Sequence, residues 1–144
     1  MPEYREKKIV PYSADDMCRL IADVGRYPEF VPWCAGARIY NRVGDHQFDA
    51  DLVIGFKMFR ERFTSRVTIE RPVKVNVDYL RGPLRELYNH WHITPVSDRA
   101  CEIDFHVDFE FKSNTLNKLI GPMFAKASHK MVMAFEERAK VICR

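Results

Sequence analysis

Apolar residues recur at spacings of three and four between Ser113 and Cys143, which is the period of a helix with one broad apolar face. They are Leu116, Leu119, Ile120, Met123, Phe124, Ala127, Met131, Phe135 and Ala139. We expect Ser113 to cap this helix. Gly121-Pro122 should kink it, because proline removes a backbone donor and clashes with the preceding turn. An apolar face of this length must be covered by another element.

The covering surface is predicted directly upstream, where apolar and polar residues alternate strictly. The apolar members are Cys101, Ile103, Phe105, Val107, Phe109 and Phe111, and the polar ones are Glu102, Asp104, His106, Asp108 and Glu110. This period of two is typical of an antiparallel sheet with one face on the core and one in water. We therefore predict an α+β fold, in which one long amphipathic helix packs on one face of an antiparallel sheet.

The rest of the chain supplies the other elements of this fold. Residues 3–11 read as a first strand, and a helix begins at Ser13 and ends at Gly25. Residues 26–34, which contain two prolines, are expected to form a short helical turn. Four further strands precede the last two, with these residues facing inward: Ala37, Ile39 and Val43, then Phe48, Ala50, Leu52, Ile54 and Phe56, then Phe63, Ser65, Val67 and Ile69, then Val73, Val75, Val77 and Tyr79. Leu87, Asn89, Trp91 and Ile93 face inward on the strand before residues 101–111.

Composition narrows the class of protein. The chain has 144 residues, and 47% of them are hydrophobic. Residues 1–144 are therefore most simply a single domain with a hydrophobic core. The net charge of +3 is mild and spread along the chain, so we do not expect a DNA-binding protein. The charged start predicts no signal peptide, and no run approaches the roughly 20 apolar residues that span a bilayer. Four cysteines without CxxC spacing predict reduced, buried thiols in a cytoplasmic protein.

Candidate catalytic and metal-binding residues are few. His90 and His92 share the outer face of one strand and His106 lies on the next, which is a geometry that zinc accepts. Carboxylates alternate with them on the same solvated face, so we favour ion pairing and predict no metal. No GxSxG motif occurs, and the inward thiol of Cys101 has no histidine on its own face. The sequence therefore predicts no catalytic residue and a protein that is not an enzyme.

Two polar residues, Ser65 and Asn89, fall on the inward face of the sheet. The Asn89 amide either finds partners in the backbone or in water, or bonds the polar head of a ligand, such as a quinone carbonyl. Trp91 lies two residues further along the same face, so both side chains should line one wall.

Two surface features have alternative interpretations. Phe56, Lys57, Met58 and Phe59 predict an apolar tip with one charge, which is either a membrane or partner contact or a packed turn. Arg62 and Arg66 face outward. If their strand neighbours residues 101–111, charge pairing with the carboxylates there is favoured over phosphate or RNA binding.

Three segments resemble the coenzyme Q-binding family, whose bacterial members also include ribosome-association toxins. They are YPEFVPWC at 27–34, VIGFK at 53–57 and ERFTSRV at 61–67, and the resemblance extends from about Ile9 to Val141. Met58 departs from the smaller residue expected there. The resemblance implies the helix-grip (START-like) fold, in which a curved antiparallel sheet wraps the last helix and encloses an apolar tunnel. Eukaryotic members carry a mitochondrial targeting peptide, and its lack here suits a bacterial protein.

The family also implies a ligand, ubiquinone or a related polyprenyl lipid, and a supporting role in respiratory electron transport without a cofactor. A lipid carrier would also make transient contact with the inner membrane. The alternative function is a ribosome-binding regulator that blocks subunit association. A third, a polyketide cyclase-like enzyme, lacks acid and base groups.

The predicted tunnel opens near Phe30, Trp33 and Lys57. Its predicted ligand-binding residues are Phe30, Val31, Trp33, Leu52, Ile54, Phe56, Phe63, Val67, Asn89, Trp91, Phe105, Val107, Phe109, Leu119, Met123, Phe124, Ala127 and Met131. Lys57, Met58 and Phe59 are predicted to form its mouth or to contact a membrane.

Overall fold

The computed structural model describes residues 3–56 and 59–143. Within these residues, seven strands and three α-helices follow one another. They are β1 (Glu3–Val10), α1 (Ala14–Ala22), β2 (Cys34–Val43), β3 (Gln47–Phe56), β4 (Phe59–Glu70), β5 (Lys74–Arg81), β6 (Leu84–Ser97), β7 (Ala100–Phe111), α2 (Asn114–Ile120) and α3 (Phe124–Ile142). Two short 3-10 helices, Val24–Glu29 and Gly121–Met123, precede β2 and α3.

The strands form a single antiparallel sheet in the order β1-β7-β6-β5-β4-β3-β2. The apolar faces of the central strands are aligned by the register, in which Val77 of β5 lies opposite Asn89 of β6, and Asn89 lies opposite Val107 of β7. Helix α3 contacts β1 and α1, and α1 contacts β5, β6 and β7. The predicted fold, a curved antiparallel sheet with a long C-terminal helix, is confirmed.

The C-terminal helix is capped and kinked where the sequence predicts. Ser113 Oγ accepts a hydrogen bond from the Leu116 backbone N–H at 3.3 Å. The 3-10 turn Gly121–Met123, which contains Pro122, separates α2 from α3. The buried face of α3 also includes Ser128 and Val132, which the predicted stripe omits. Ala127 and Met131 flank this face and are only partly buried.

Three details of the predicted elements are wrong. Helix α1 ends at Ala22, because Asp23 leaves the helical region, and Gly25 lies inside the 3-10 helix that follows. Val43 is 49% exposed instead of inward, because an irregular register and the positive φ of Asn41 (53°) break the alternation of β2. Val73 is 45% exposed because it lies in the turn before β5.

An aromatic cluster fixes α3 to the sheet at one end. Phe135, 2% exposed, contacts three rings edge-on, with centroids 5.2 Å from Tyr27, 5.1 Å from Phe30 and 4.9 Å from Trp91. Trp91 in turn packs on Phe105 at 4.5 Å. We call these five residues the aromatic cluster. Edge-to-face pairs of this kind add to the stabilisation from burial.

The outer face of the sheet is held by ion pairs between adjacent strands. Arg66 of β4 pairs with Asp49 of β3 at 2.9 Å, and Arg5 of β1 pairs with Asp104 of β7 at 2.9 Å. Charge pairing of Arg66 is confirmed. Its predicted partner, the 101–111 strand, is wrong because β5 and β6 separate β4 from β7.

Candidate ligand-binding cavity

A cavity of about 580 Å³ lies between the inner face of the sheet and the helices α2 and α3. This volume falls in the range of about 300–1,000 Å³ that is typical of small-molecule sites. Most of the lining is apolar. The lining residues are Val24, Tyr27, Val31, Pro32, Trp33, Cys34, Leu52, Ile54, Glu61, Phe63, Ser65, Val67, Val77, Pro83, Leu84, Leu87, Asn89, Val107, Phe109, Phe111, Leu116, Ile120, Met123, Phe124, Lys126, Ala127, Ser128, Lys130 and Met131. The predicted cavity between helix and sheet is confirmed.

The structure brings most of the predicted ligand-binding residues to this lining. They are Val31, Trp33, Leu52, Ile54, Phe63, Val67, Asn89, Val107, Phe109, Met123, Phe124, Ala127 and Met131. Their contact with a ligand stays a prediction. Four of them come from the kinked C-terminal helix, so the kink helps to shape the cavity.

Four other predicted residues do not line the cavity. Phe30, Trp91 and Phe105 belong to the aromatic cluster, where Phe135 occupies the space that a ligand would need. Leu119 is partly buried on α2 and is not part of the lining. The expectation that Trp91 and Asn89 share one cavity wall is therefore wrong, although they share one face of β6.

The predicted tip between β3 and β4 lies largely outside the described residues. Lys57 and Met58 are not described, and neither are the side chains of Phe56 and Phe59. Their roles at the mouth or at a membrane stay predictions.

Asn89 is the polar residue of greatest interest in the lining. Within the described part of the chain, its Oδ1 atom is buried and has no hydrogen-bond partner. The cross-strand neighbours, Val77 and Val107, are apolar and also line the cavity. The described protein atoms therefore supply no partner for Oδ1.

The lining contains three charged residues that the sequence reasoning missed. Lys126 and Lys130 lie one turn apart on α3 and are exposed, so they mark a side on which the cavity meets solvent. Glu61 lies on β4, opposite Ile54 of β3. Each lysine directly precedes a predicted ligand-binding residue of the helix, Ala127 or Met131. This spacing could have indicated that the lysines lie at the cavity.

Burial keeps two titratable groups of the cavity lining, Tyr27 and Cys34, in their neutral forms. The Tyr27 hydroxyl donates a hydrogen bond to the Ile21 carbonyl oxygen, and burial raises the Tyr27 pKa. Burial also raises the pKa of the Cys34 thiol. All four cysteines are free and buried, as predicted, and burial raises the pKa of Cys101 to about 11. These groups stay protonated at neutral pH and supply no thiolate nucleophile.

The histidines lie on the outer surface of the fold and take local partners. His90 stacks on Tyr88, with ring centroids 3.9 Å apart, and its burial lowers its pKa against the opposing effect of Asp78. His106 Nε2 lies 2.9 Å from Glu3. His129 Nδ1 lies 2.8 Å from Glu6. The described residues contain no cluster of three side chains able to hold a metal ion.

Comparison with known proteins links this geometry to a family. Residues 10–136 match the family model described as polyketide cyclase/dehydrase and lipid transport. The ribosome association toxin RatA of Escherichia coli K12 is 34% identical over 142 residues, covering 99% of this chain and 89% of that protein. The mitochondrial coenzyme Q-binding protein COQ10 of Drosophila melanogaster is 34% identical over 141 residues, covering 95% of this chain and 58% of that protein.

Solved structures show the same fold. The solution structure of an 18 kDa protein from Caulobacter crescentus superposes with a TM-score of 0.79 at 34% identity, covering 99% of this chain and 98% of that one. A Streptomyces aromatase/cyclase reaches a TM-score of 0.82 at 14% identity, which shows the fold alone, and covers 96% of this chain and 93% of that one. This chain belongs to the polyketide cyclase/dehydrase and lipid transport family, with relatives named both as ribosome association toxins and as coenzyme Q-binding proteins.

Proposed function

We propose that this protein binds ubiquinone or a related polyprenyl lipid in the cavity and serves as its carrier in support of respiratory electron transport. The observation that carries the proposal is the apolar cavity of about 580 Å³ between helix and sheet. A volume and lining of this kind suit a small apolar molecule with few polar groups. The name of the Drosophila relative, which covers nearly the whole of this chain, supports the choice of a quinone.

A carrier role agrees with the chemistry of the lining better than catalysis does. General acid–base catalysis needs a positioned group whose pKa lies near the working pH. Burial raises the pKa values of Tyr27 and Cys34 in the lining. Glu61 is the single carboxylate among the described lining residues, so no carboxylate pair is present there. We therefore propose that the ligand leaves the cavity chemically unchanged.

Tryptophan fluorescence offers a direct test, since the chain has two tryptophans in different environments. Trp33 lines the cavity, and Trp91 is 2% exposed within the aromatic cluster. A short-chain ubiquinone analogue should quench the tryptophan fluorescence of the parent protein and of Trp91→Phe saturably. It should leave the fluorescence of Trp33→Phe nearly unchanged. Organic extraction after the titration should recover the quinone unchanged.

The opposite pattern, with quenching lost in Trp91→Phe and kept in Trp33→Phe, would place the quinone outside the cavity. Absence of saturable quenching by any quinone would end the ubiquinone assignment. Organic extraction of freshly purified protein, followed by mass spectrometry, would then identify the lipid that is bound.

A lipid carrier must exchange its cargo with a membrane, and we propose that the protein works in the cytoplasm and at the inner membrane surface. None of the described helices is long and apolar enough to cross a bilayer. The tip at Lys57, Met58 and Phe59 is proposed as the contact. Replacing Met58 and Phe59 with serine should weaken binding to liposomes and leave the unfolding temperature unchanged. Equal binding by the variant would remove the tip from the proposal.

Ribosome binding is the second candidate, and it is favoured by the name of the E. coli relative at 34% identity. Arg62 of β4 is exposed on the outer face, where it offers a phosphate contact. Binding through such contacts should weaken steeply as salt is raised. Arg62→Glu should then reduce co-sedimentation with ribosomal subunits. Binding that survives charge reversal at both Arg62 and Arg66 would exclude this face.

A further inference from the structure

The Asn89 amide lies in the cavity lining without protein compensation for its buried oxygen. Leaving a buried acceptor unpaired destabilises a fold, so such atoms are rare in proteins. Among the side-chain nitrogen and oxygen atoms of the described lining residues, Asn89 Oδ1 is the only one that is buried without a hydrogen-bond partner. This oxygen is an acceptor, so its cost is relieved by a ligand group that donates a hydrogen bond, such as a hydroxyl.

The surroundings of Asn89 limit what that partner is. Its cross-strand neighbours, Val77 and Val107, are 9% and 4% exposed and offer no charge. The cations of the lining, Lys126 and Lys130, are exposed and belong to the solvent side of the cavity. An anionic group placed against Asn89 would be a buried charge without a counter-ion, which is strongly unfavourable.

We propose that Asn89 binds the neutral oxygen-bearing head of the ligand, and that the ligand enters head first with its apolar tail toward Lys126 and Lys130. This inference rests on the proposed lipid-carrier function and assigns the chemical class of the head group, a carbonyl or a hydroxyl. The amide has an NH₂ donor for a quinone carbonyl and a carbonyl acceptor for a quinol hydroxyl. Asn89 therefore suits both redox states of a quinone, and the quinol also supplies the donor that the buried oxygen lacks.

The test compares Asn89→Leu with the parent protein by titration calorimetry against four probes. These are a short-chain ubiquinone analogue, its quinol, farnesol, and the oxygen-free hydrocarbon farnesene. A lost hydrogen bond should weaken the three oxygen-bearing probes about three- to tenfold and leave farnesene unchanged. The unfolding temperature should stay the same or rise, because the variant removes an unpaired buried group.

A matched control and a spectroscopic readout separate binding from structure. Leu87 lines the same wall two residues away, and Leu87→Met should change the affinities for farnesol and farnesene alike. In infrared difference spectra of the quinone labelled with ¹³C at its carbonyls, the bound carbonyl stretch should lie lower in the parent than in Asn89→Leu.

Each remaining outcome decides a separate question. If farnesol binds better than farnesene through Asn89 while no quinone binds, the quinone assignment fails and this inference stands. If Asn89→Leu binds every probe as the parent does, or if it lowers the unfolding temperature without changing relative affinities, Asn89 does not bind the head group. A parent protein that binds none of the four probes would refute both the lipid-carrier function and the role of Asn89.

Discussion

Filling the cavity should stabilise the protein and displace its ligand, and Ala127 is the position that tests this. Ala127 lies on α3 in the cavity lining, beside Met131. Leucine at this position adds three carbon atoms that would be removed from water. At about 0.8 kcal/mol per carbon, their burial contributes at most about 2.4 kcal/mol. The loss of leucine rotamer freedom subtracts about 0.5–1 kcal/mol, so Ala127→Leu should raise the free energy of unfolding by about 1–2 kcal/mol.

The same helix provides the matched control. Ala139 is fully buried, at 0% exposure, and lies where α3 is packed instead of hollow. Adding the same three carbons there forces neighbouring side chains to move, which typically costs about 1–3 kcal/mol. Ala127→Leu and Ala139→Leu are therefore the same chemical change, and they should change the free energy of unfolding in opposite directions.

Denaturant and thermal unfolding of the three proteins measure both effects. A domain of this size should gain about 3–6 °C in unfolding temperature for Ala127→Leu and lose a similar amount for Ala139→Leu. Quinone quenching of Trp33 should weaken in Ala127→Leu and persist in Ala139→Leu. If Ala127→Leu destabilises the protein as much as Ala139→Leu does, the space beside Ala127 is not available, and the assignment of the cavity as a binding site is refuted.

Two further predictions concern titrating groups on the outer face of the sheet. Hydrogen bonds from Arg66 and Asn41 hold the pKa of Asp49 below 3.8, so their stabilisation is present above that pH and is lost as pH falls through the lowered pKa. Asp49→Asn should flatten the acid side of the unfolding free energy below about pH 4, and an unchanged acid slope would contradict this. Burial lowers the pKa of His90 below 6.5, so the unfolded chain takes up the proton first and stability should fall as pH drops below 6.5. His90→Gln should remove that slope, and a slope that persists in the variant would assign it to another group.

The sequence predicts the fold well where the helical spacing of three and four, or the strand alternation of two, is long and uninterrupted. The eleven residues 101–111 of β7 alternate without a break, and the structure places Cys101, Ile103, Phe105 and Val107 in the core. Errors arise at element ends, where local backbone geometry replaces the period. Val43 follows the positive φ of Asn41, which no alternation of residue types reveals.

The candidate site is harder to predict. The alternation of residue types shows which face of a strand a side chain lies on, but it does not show whether a cavity or a packed side chain lies opposite. Asn89 and Trp91 share one face of β6, yet one lines a cavity and the other lies in packed core. The difference is set by the element opposite. Phe135 lies 4.9 Å from Trp91 and fills the space there. Farther toward the start of α3, the smaller Ala127 and the unbranched Met131 leave space open.

The two ends of α3 thus have different physical roles, and this division has a consequence for how the protein changes its ligand. Phe135 and Ala139 are buried in continuous core and fix the helix to the sheet. Ala127 and Met131, nearer the 3-10 turn that follows α2, line the cavity. Substitutions near the start of α3 should therefore alter which lipid fits at little cost in stability, because they adjust an existing space instead of opening a new one in packed core. Relatives that share the aromatic cluster and differ at these lining positions would then be expected to hold the same fold around different ligands.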